Sequence, residues 1–263
     1  MTTRTEFLAR IRTEVGKTPG LFSARTAPRP SDPRAATEAI RRELAERWPQ
    51  ALERFQTEFE RVAGVFHRAA SLAGVPQVVA RIAREREVRR LVAWHARELG
   101  ADLLDALTAR GLDPFAMPSG DLADAVERSE LRRRVADAEL GLTGVDLAIA
   151  ETGTLVLRSG AGRPRSTSLL PACHIAVFDR TALIESLSQA GVFLELWNRG
   201  EHAAGTVGAG ATPTGAVGPE PTGAVTSFIT GPSRTADIEL TLTRGVHGPR
   251  EVHAIFVDEV MRG

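Results

Sequence analysis

The chain has 263 residues, with 33 Lys and Arg against 33 Asp and Glu, 43% hydrophobic and 25% charged residues, the profile expected of an ordinary soluble globular protein. Zero formal charge provides no overall field toward nucleic acid or an anionic membrane, and no apolar run of 18 residues or signal-like leader is present; a cytoplasmic chain with no nucleic-acid partner and no integral membrane segment is expected. Cys173 is the only cysteine and Lys17 the only lysine, which excludes an internal disulfide, a multi-cysteine zinc or all-cysteine iron–sulfur site, and disfavours Schiff-base chemistry and a phosphate loop ending in Gly-Lys-Ser/Thr.

In chain order, residues 5–15 place Phe7, Leu8, Ile11 and Val15 on one face of a short amphipathic helix. The proline-rich stretch from Pro19 to Pro33 disfavours helix and ladder pairing and reads as an extended arm. A helix is predicted from Asp32 to Trp48. Pro49 suits the first turn of a second helix, in which Leu52, Phe55, Phe59 and Val62 follow one face. Strands at 65–69 and 89–95 then alternate with helices at 75–88 and 99–110, the spacing of a parallel sheet. After a loop around Pro114 to Gly120 and a polar helix near 121–130, three short strands are predicted near 134–142, 146–150 and 154–158. A buried strand at 173–179 and a helix at 180–190 follow, with the last strands at 227–231 and 251–260. Residues 200–224 hold seven glycines and three prolines without a leucine or aromatic residue, and read as a loose excursion on the surface. The expected organisation is an arm over residues 1–33 and one α/β domain over residues 34–263.

Three polar conjunctions carry the candidate chemistry. Glu151, Thr152, Gly153 and Thr154 interrupt two apolar runs, implying a tight turn that presents a carboxylate and two hydroxyls; Glu151 is a candidate base or nucleophile. The alternative is a hairpin turn whose side chains bond their own backbone. Ser166, Thr167 and Ser168 precede the strand that begins near Cys173 and His174, and Ser168 is a candidate ligand-binding hydroxyl. Cys173 and His174 are neighbours on a strand and so face opposite sides, which makes Cys173 a core residue rather than a paired thiol. Gly231, Ser233, Arg234, Thr235 and Asp237 read as a strand end turning into a short helix whose free N–H groups, with Arg234, would hold a carboxylate or phosphate. The alternative there is an N-cap by Ser233 or Thr235. His247 is a candidate proton-handling group. His247 and His253 are six apart, and neither helix nor strand periodicity aligns them with a third ligand, so no metal site is predicted.

Residues 150–157 (AETGTLVL), Ser168-Leu-Leu-Pro171 with His174-Ile175, Gly231-Pro-Ser-Arg-Thr-Ala-Asp-Ile-Glu239 and Gly245-Val-His-Gly-Pro-Arg250, in that order, resemble the LUD-domain family and its lactate-utilisation branch. The resemblance covers roughly Glu38 to Val260. It implies a three-layer α/β/α fold with a mostly parallel sheet, similar to the sugar-isomerase and CoA-transferase superfamily and preceded by N-terminal helices. It also implies a part in oxidising L-lactate to pyruvate beside iron–sulfur subunits, with no cofactor bound by this chain. The expected ligand is a small carboxylate or phosphate at the carboxyl ends of the strands. Arg234 and Ser233 would hold it, and Glu151 and His247 would handle the proton. A competing class is a stand-alone CoA-transferase or sugar-phosphate isomerase using Glu151. A third is an adaptor whose polar blocks contact other subunits.

Overall fold

A computed structural model describes residues 3–16, 30–120, 124–199, 225–236, 242–245 and 247–261. Two compact units, residues 1–31 and 32–263, are taken separately. In the first, helix α1 (Arg4–Gly16) starts with a reciprocal capping box. Thr3 N donates to Glu6 Oε2 at 2.8 Å and Glu6 N to Thr3 Oγ1 at 3.3 Å, satisfying two donors that the first turn leaves without a helical partner. Most of the predicted arm, residues 17–29, lies outside the described residues.

The second unit opens with α2 (Pro33–Arg61). Asp32 caps it, its carboxylate accepting from Ala35 N at 3.1 Å, and Pro33 occupies the first turn, where a missing N–H costs nothing. The break expected at Pro49 does not occur: one helix runs through it. Trp48 stacks on Phe256 at 5.8 Å on one side of the proline, and Phe55 meets Phe178 at 5.2 Å on the other. Burial of both halves on one surface offsets the hydrogen bond that proline cannot donate.

Strands β1 (Val65–Ala69), β2 (Arg90–Ala93), β3 (Asp113–Ala116), β4 (Leu140–Thr143), β7 (Cys173–Asp179) and β12 (Glu251–Val257) form a six-stranded sheet in the order β1-β12-β7-β4-β2-β3. Every pairing in it is parallel. β7 and nearly all of β12 are buried, as expected for a sheet covered on both faces. Helix α2 covers the face carrying Phe66, Phe178 and Phe256. Helix α3 (Val75–Glu85) covers the other, where Arg81 and Arg86 reach the histidines of β1 and β12. The expected α/β architecture with a mostly parallel sheet is therefore present.

A second sheet, β8-β5-β6-β9, is built from β5 (Leu147–Ile149), β6 (Thr154–Arg158), β8 (Leu183–Ile184) and β9 (Thr226–Ile229). Several elements differ from expectation. The loop at Pro114 holds β3, an edge strand bonded only to β2, and a sheet edge is where a strand tolerates proline. The helix expected at 99–110 is two short helices, α4 (Ala96–Leu99) and α5 (Leu104–Thr108), parted by Gly100 in the left-handed region at φ 77° and by Asp102, whose carboxylate accepts from Leu104 N. Helix α6 (Ala125–Asp137) runs on into the residues expected to begin a strand at 134. The helix expected at 180–190 is a tight turn followed by β8, with α8 (Leu187–Asn198) starting at a Ser186 cap. The excursion at 200–224 lies outside the described residues.

Candidate functional site

The polar blocks meet along one hydrogen-bonded strip. Thr152 Oγ1 donates to Thr154 Oγ1 at 2.7 Å, and Thr154 Oγ1 lies 2.8 Å from Thr230 Oγ1, which joins the turn after β5 to the end of β9. Both blocks then press on the end of α2. Gly153, at φ 58°, lies against the backbone at Glu58 and Phe59, and Gly231, at φ 82°, lies against Val62 O; a Cβ on either would overlap those atoms. Ser233 N donates to Pro249 O at 2.9 Å, Gly245 N to Ser233 O at 3.1 Å, and Arg250 N to Ala172 O at 2.8 Å. The chain from Thr230 to Ser233 joins these two sets of hydrogen bonds, so residues 151–154, 230–234 and 247–250 with Ala172 lie along one strip, although up to 99 residues separate them in the chain.

Each expected residue has a defined place. Glu151 is exposed and accepts from Leu187 N at 2.9 Å, at the first turn of α8. Ser168 is buried in the single-turn helix α7 (Ser166–Leu169), its hydroxyl bonded to Arg165 O. Arg234 donates from Nη2 to Val62 O at 2.6 Å and so caps α2. His247 is exposed beside Gly248, which faces Ser233. The short helix expected after Gly231 is instead strand β10 (Arg234–Ala236), paired antiparallel with β11 (Leu242–Arg244). Successive N–H groups of a strand point to alternate sides, so the fan of free donors that a helix start would offer is absent there. The side chain of Thr235 and all of Asp237 lie outside the described residues. Pro249 lies two residues before β12, and Ala172 immediately precedes β7. The strip therefore sits at the amino ends of these parallel strands, not at the carboxyl ends as expected.

Two further clusters have no signal in the sequence. On the α3 face, Glu251 pairs in register with Cys173 and His253 with Val65 and Ile175. Period-two alternation then places Cys173, Glu251, His253 and His67 on one side of the sheet. His67 Nε2 and His253 Nδ1 are 2.9 Å apart, with the rings stacked at 5.2 Å. Arg81 Nη2 lies 3.2 Å from His67 Nδ1 and can only donate. With Arg81 donating, His67 carries its proton on Nε2 and donates to His253 Nδ1; His253 Nε2 then faces both Glu251 Oε2 and Arg86 Nη2, each at 3.2 Å. Arg86 Nη2 pairs with the same Glu251 oxygen. Burial, with His253 and Arg81 nearby, pushes His67 down to about 4; burial also lowers His253, against the pull of Glu251. Burial raises the Glu251 carboxyl, but hydrogen bonds from Arg86 and His253 outweigh it and hold that group below its ordinary value. Burial pushes the Cys173 thiol up to about 12 despite Arg86, which does not suit a free nucleophile. His174 points to the opposite face, buried, with Nε2 2.9 Å from Thr143 Oγ1 and desolvated down to about 3.

The second cluster lies at the carboxyl ends of β2 and β4, where the chain direction across the sheet reverses and α/β proteins commonly bind ligands. Asp146 accepts from Arg158 N at 2.7 Å, Arg158 Nε at 2.9 Å and Arg163 Nη1 at 3.5 Å. Arg163 also meets Glu98 at 3.5 Å, and the Arg158 guanidinium lies 4.1 Å from the centre of the Trp197 ring. A cavity of about 180 Å³ opens beside it, lined by Trp94, His95 and Asp102 among apolar side chains.

The LUD domain family model matches residues 52–257. Lactate utilization protein C of Shouchella clausii is 31% identical over 171 residues, 65% of this chain and 63% of that protein. The protein of the same name from Halalkalibacterium halodurans is 30% identical over 183 residues, 70% of this chain and 69% of its own length. The chain thus matches less than two thirds of the Shouchella protein. Among solved structures, a DUF162 family protein from Deinococcus radiodurans aligns with a TM-score of 0.45 at 18% identity, over 80% of this chain and 98% of that one. No helix among the described residues is long and apolar enough to cross a membrane.

Proposed function

The chain belongs to the LUD domain family, and on that premise we propose that it serves L-lactate utilisation, as a cytoplasmic subunit that works beside iron–sulfur partners in the oxidation of lactate to pyruvate. The observation that best supports a shared site is that hydrogen bonds tie segments distant in the chain to one end of the domain: Thr154 to Thr230, Ser233 to Pro249 and Gly245, and Arg234 to Val62 O at the end of α2. In this reading Arg234, steadied by Val62 O, and Ser233 hold the carboxylate of a small ligand. Thr152, Gly153, Thr154 and Gly231 shape the surface around it. Glu151 and His247 receive and return the hydroxyl proton. Removing lactate's two electrons requires an acceptor; in this reading it is an iron–sulfur cluster, and because a chain with one cysteine cannot ligate a four-cysteine cluster, that cluster is assigned to partner chains.

Deleting the gene is expected to abolish growth on L-lactate and leave growth on pyruvate intact. Complementation with wild type restores growth, and with Arg234→Ala it does not. Unaltered lactate growth in the deletion strain would overturn the lactate role. Full rescue by Arg234→Ala would overturn the assignment of the carboxylate to that strip.

A further inference from the structure

The cluster on the α3 face has the donor set of a metal centre. We propose that Cys173 Sγ, the Glu251 carboxylate and His253 Nε2 together bind one divalent transition-metal ion of the zinc class, in competition with the Arg86 guanidinium. This goes beyond the lactate reading, in which the chain carries no cofactor of its own.

The ligands come from the first residue of β7 and the first and third residues of β12, two largely buried strands of the sheet. Strand register, not local sequence spacing, brings them together, with Glu251 directly opposite Cys173. One donor atom from each lies within 4.8 Å of the others. Glu251 Oε2 and His253 Nε2 are 3.2 Å apart. Two tetrahedral ligands, each about 2.0 Å from a zinc ion, stand about 3.3 Å from one another. The thiolate, imidazole and carboxylate donors suit Zn²⁺ or Co²⁺ rather than Mg²⁺ or Ca²⁺. Three protein ligands leave a fourth position, and Glu251, at 45% side-chain exposure, sets that position toward solvent.

The surroundings fit a second ring of support. An ion on His253 Nε2 places that ring's proton on Nδ1, which then donates to His67 Nε2 at the existing 2.9 Å separation. His67 in turn carries its proton away from that contact, and Arg81, exposed on α3, turns aside. Arg86 is the competitor: its Nη2 lies between Glu251 and His253. When displaced it keeps partners in Ile82 O at 3.0 Å and Glu85 Oε2 at 3.4 Å. Binding converts the Cys173 thiol to a thiolate and releases one proton to solvent, with no change of oxidation state.

The test is a Co²⁺ titration of the full chain, free of any polyhistidine tag and stripped of metal, followed by absorbance. The expected result is uptake of one Co²⁺ per chain with a near-ultraviolet sulfur-to-cobalt charge-transfer band that Zn²⁺ abolishes. Cys173 is the only cysteine, so the band has one possible source. Cys173→Ser loses it, and exposed Glu251→Gln weakens binding with the fold intact by circular dichroism. His67→Ala weakens binding about 10- to 100-fold, as for other residues that orient a ligand. Arg86→Ala binds more tightly than wild type, the reverse of what a structural ion pair alone would produce. Absence of the band in both wild type and Arg86→Ala would overturn the proposal. So would Co²⁺ uptake that Glu251→Gln leaves unchanged, since that assigns the ion to surface histidines. None of these readouts depends on lactate chemistry, so failure here leaves the growth experiment unaffected.

Discussion

Glu98 and Asp146 both reach Arg163 Nη1, each at 3.5 Å, and the two carboxylates differ in how well the fold serves them. Asp146 is 2% exposed and receives a backbone N–H as well as two guanidinium groups. Removing it would strand buried Arg158, whose own pKa burial already lowers. Among the described residues the Glu98 carboxylate pairs with Arg163 alone, at a loose 3.5 Å, and burial raises its pKa, with Arg163 opposing and Asp146 adding to the rise. A carboxyl whose folded pKa lies above its ordinary 4.5 binds more protons folded than unfolded just above that value. Its contribution to stability is present at lower pH and is lost as pH rises through the folded pKa. The stability of wild type minus that of Glu98→Gln, from urea unfolding at a series of pH values, is therefore expected to fall as pH rises from about 4 toward 7. A flat or rising difference would contradict this account of Glu98. The residue scale is also where sequence reasoning reached least far. Arg234 was legible as a cation in a polar turn, but its bond to Val62 O depends on a helix end 172 residues away in the chain.

The long strongly patterned elements were legible, and the short ones were not. β1, β7 and β12 follow from apolar, β-branched runs, and α3 from its one-sided face. β8 has two residues and β10 three, too few for a period to register, and their neighbours decide their conformation. α2 is the instructive case: Pro49 reads locally as a helix start, yet packing on both sides keeps 29 residues in one helix. Pro49 withholds the N–H that would reach Ala45 O, so Pro49→Ala is expected to stabilise the protein by about 1–2 kcal/mol. That is the roughly 3 kcal/mol propensity difference reduced by the looser unfolded chain and by relaxation already present. Urea denaturation measures it. A loss of stability would mean that the helix depends on proline at this point.

At the scale of the molecule, β1 near the start of the sheet-forming region pairs with β12 at its end, and β12 and β7 form the buried middle of that half of the sheet. Hydrogen exchange followed by mass spectrometry is expected to find the amides of β7 and β12 exchanging last, only with global unfolding, and those of edge strand β3 exchanging early. Early exchange in β12 would show that the sheet opens from the chain end instead. The amino-acid sequence by itself determined the α/β class, the main strands, a cysteine count too low for an all-cysteine iron–sulfur site, and the family resemblance. These depend on composition, on local periodicity and on unbroken strings of residues. Only the tertiary structure decided strand order and register, and through them which side chains meet. Glu251 stands opposite Cys173, and His253 reaches His67 across 186 residues of chain, because parallel neighbours are matched by long crossovers whose register no local pattern encodes. The same holds for the polar strip, whose motifs were legible one by one while their common seat at the amino ends of β7 and β12 was not.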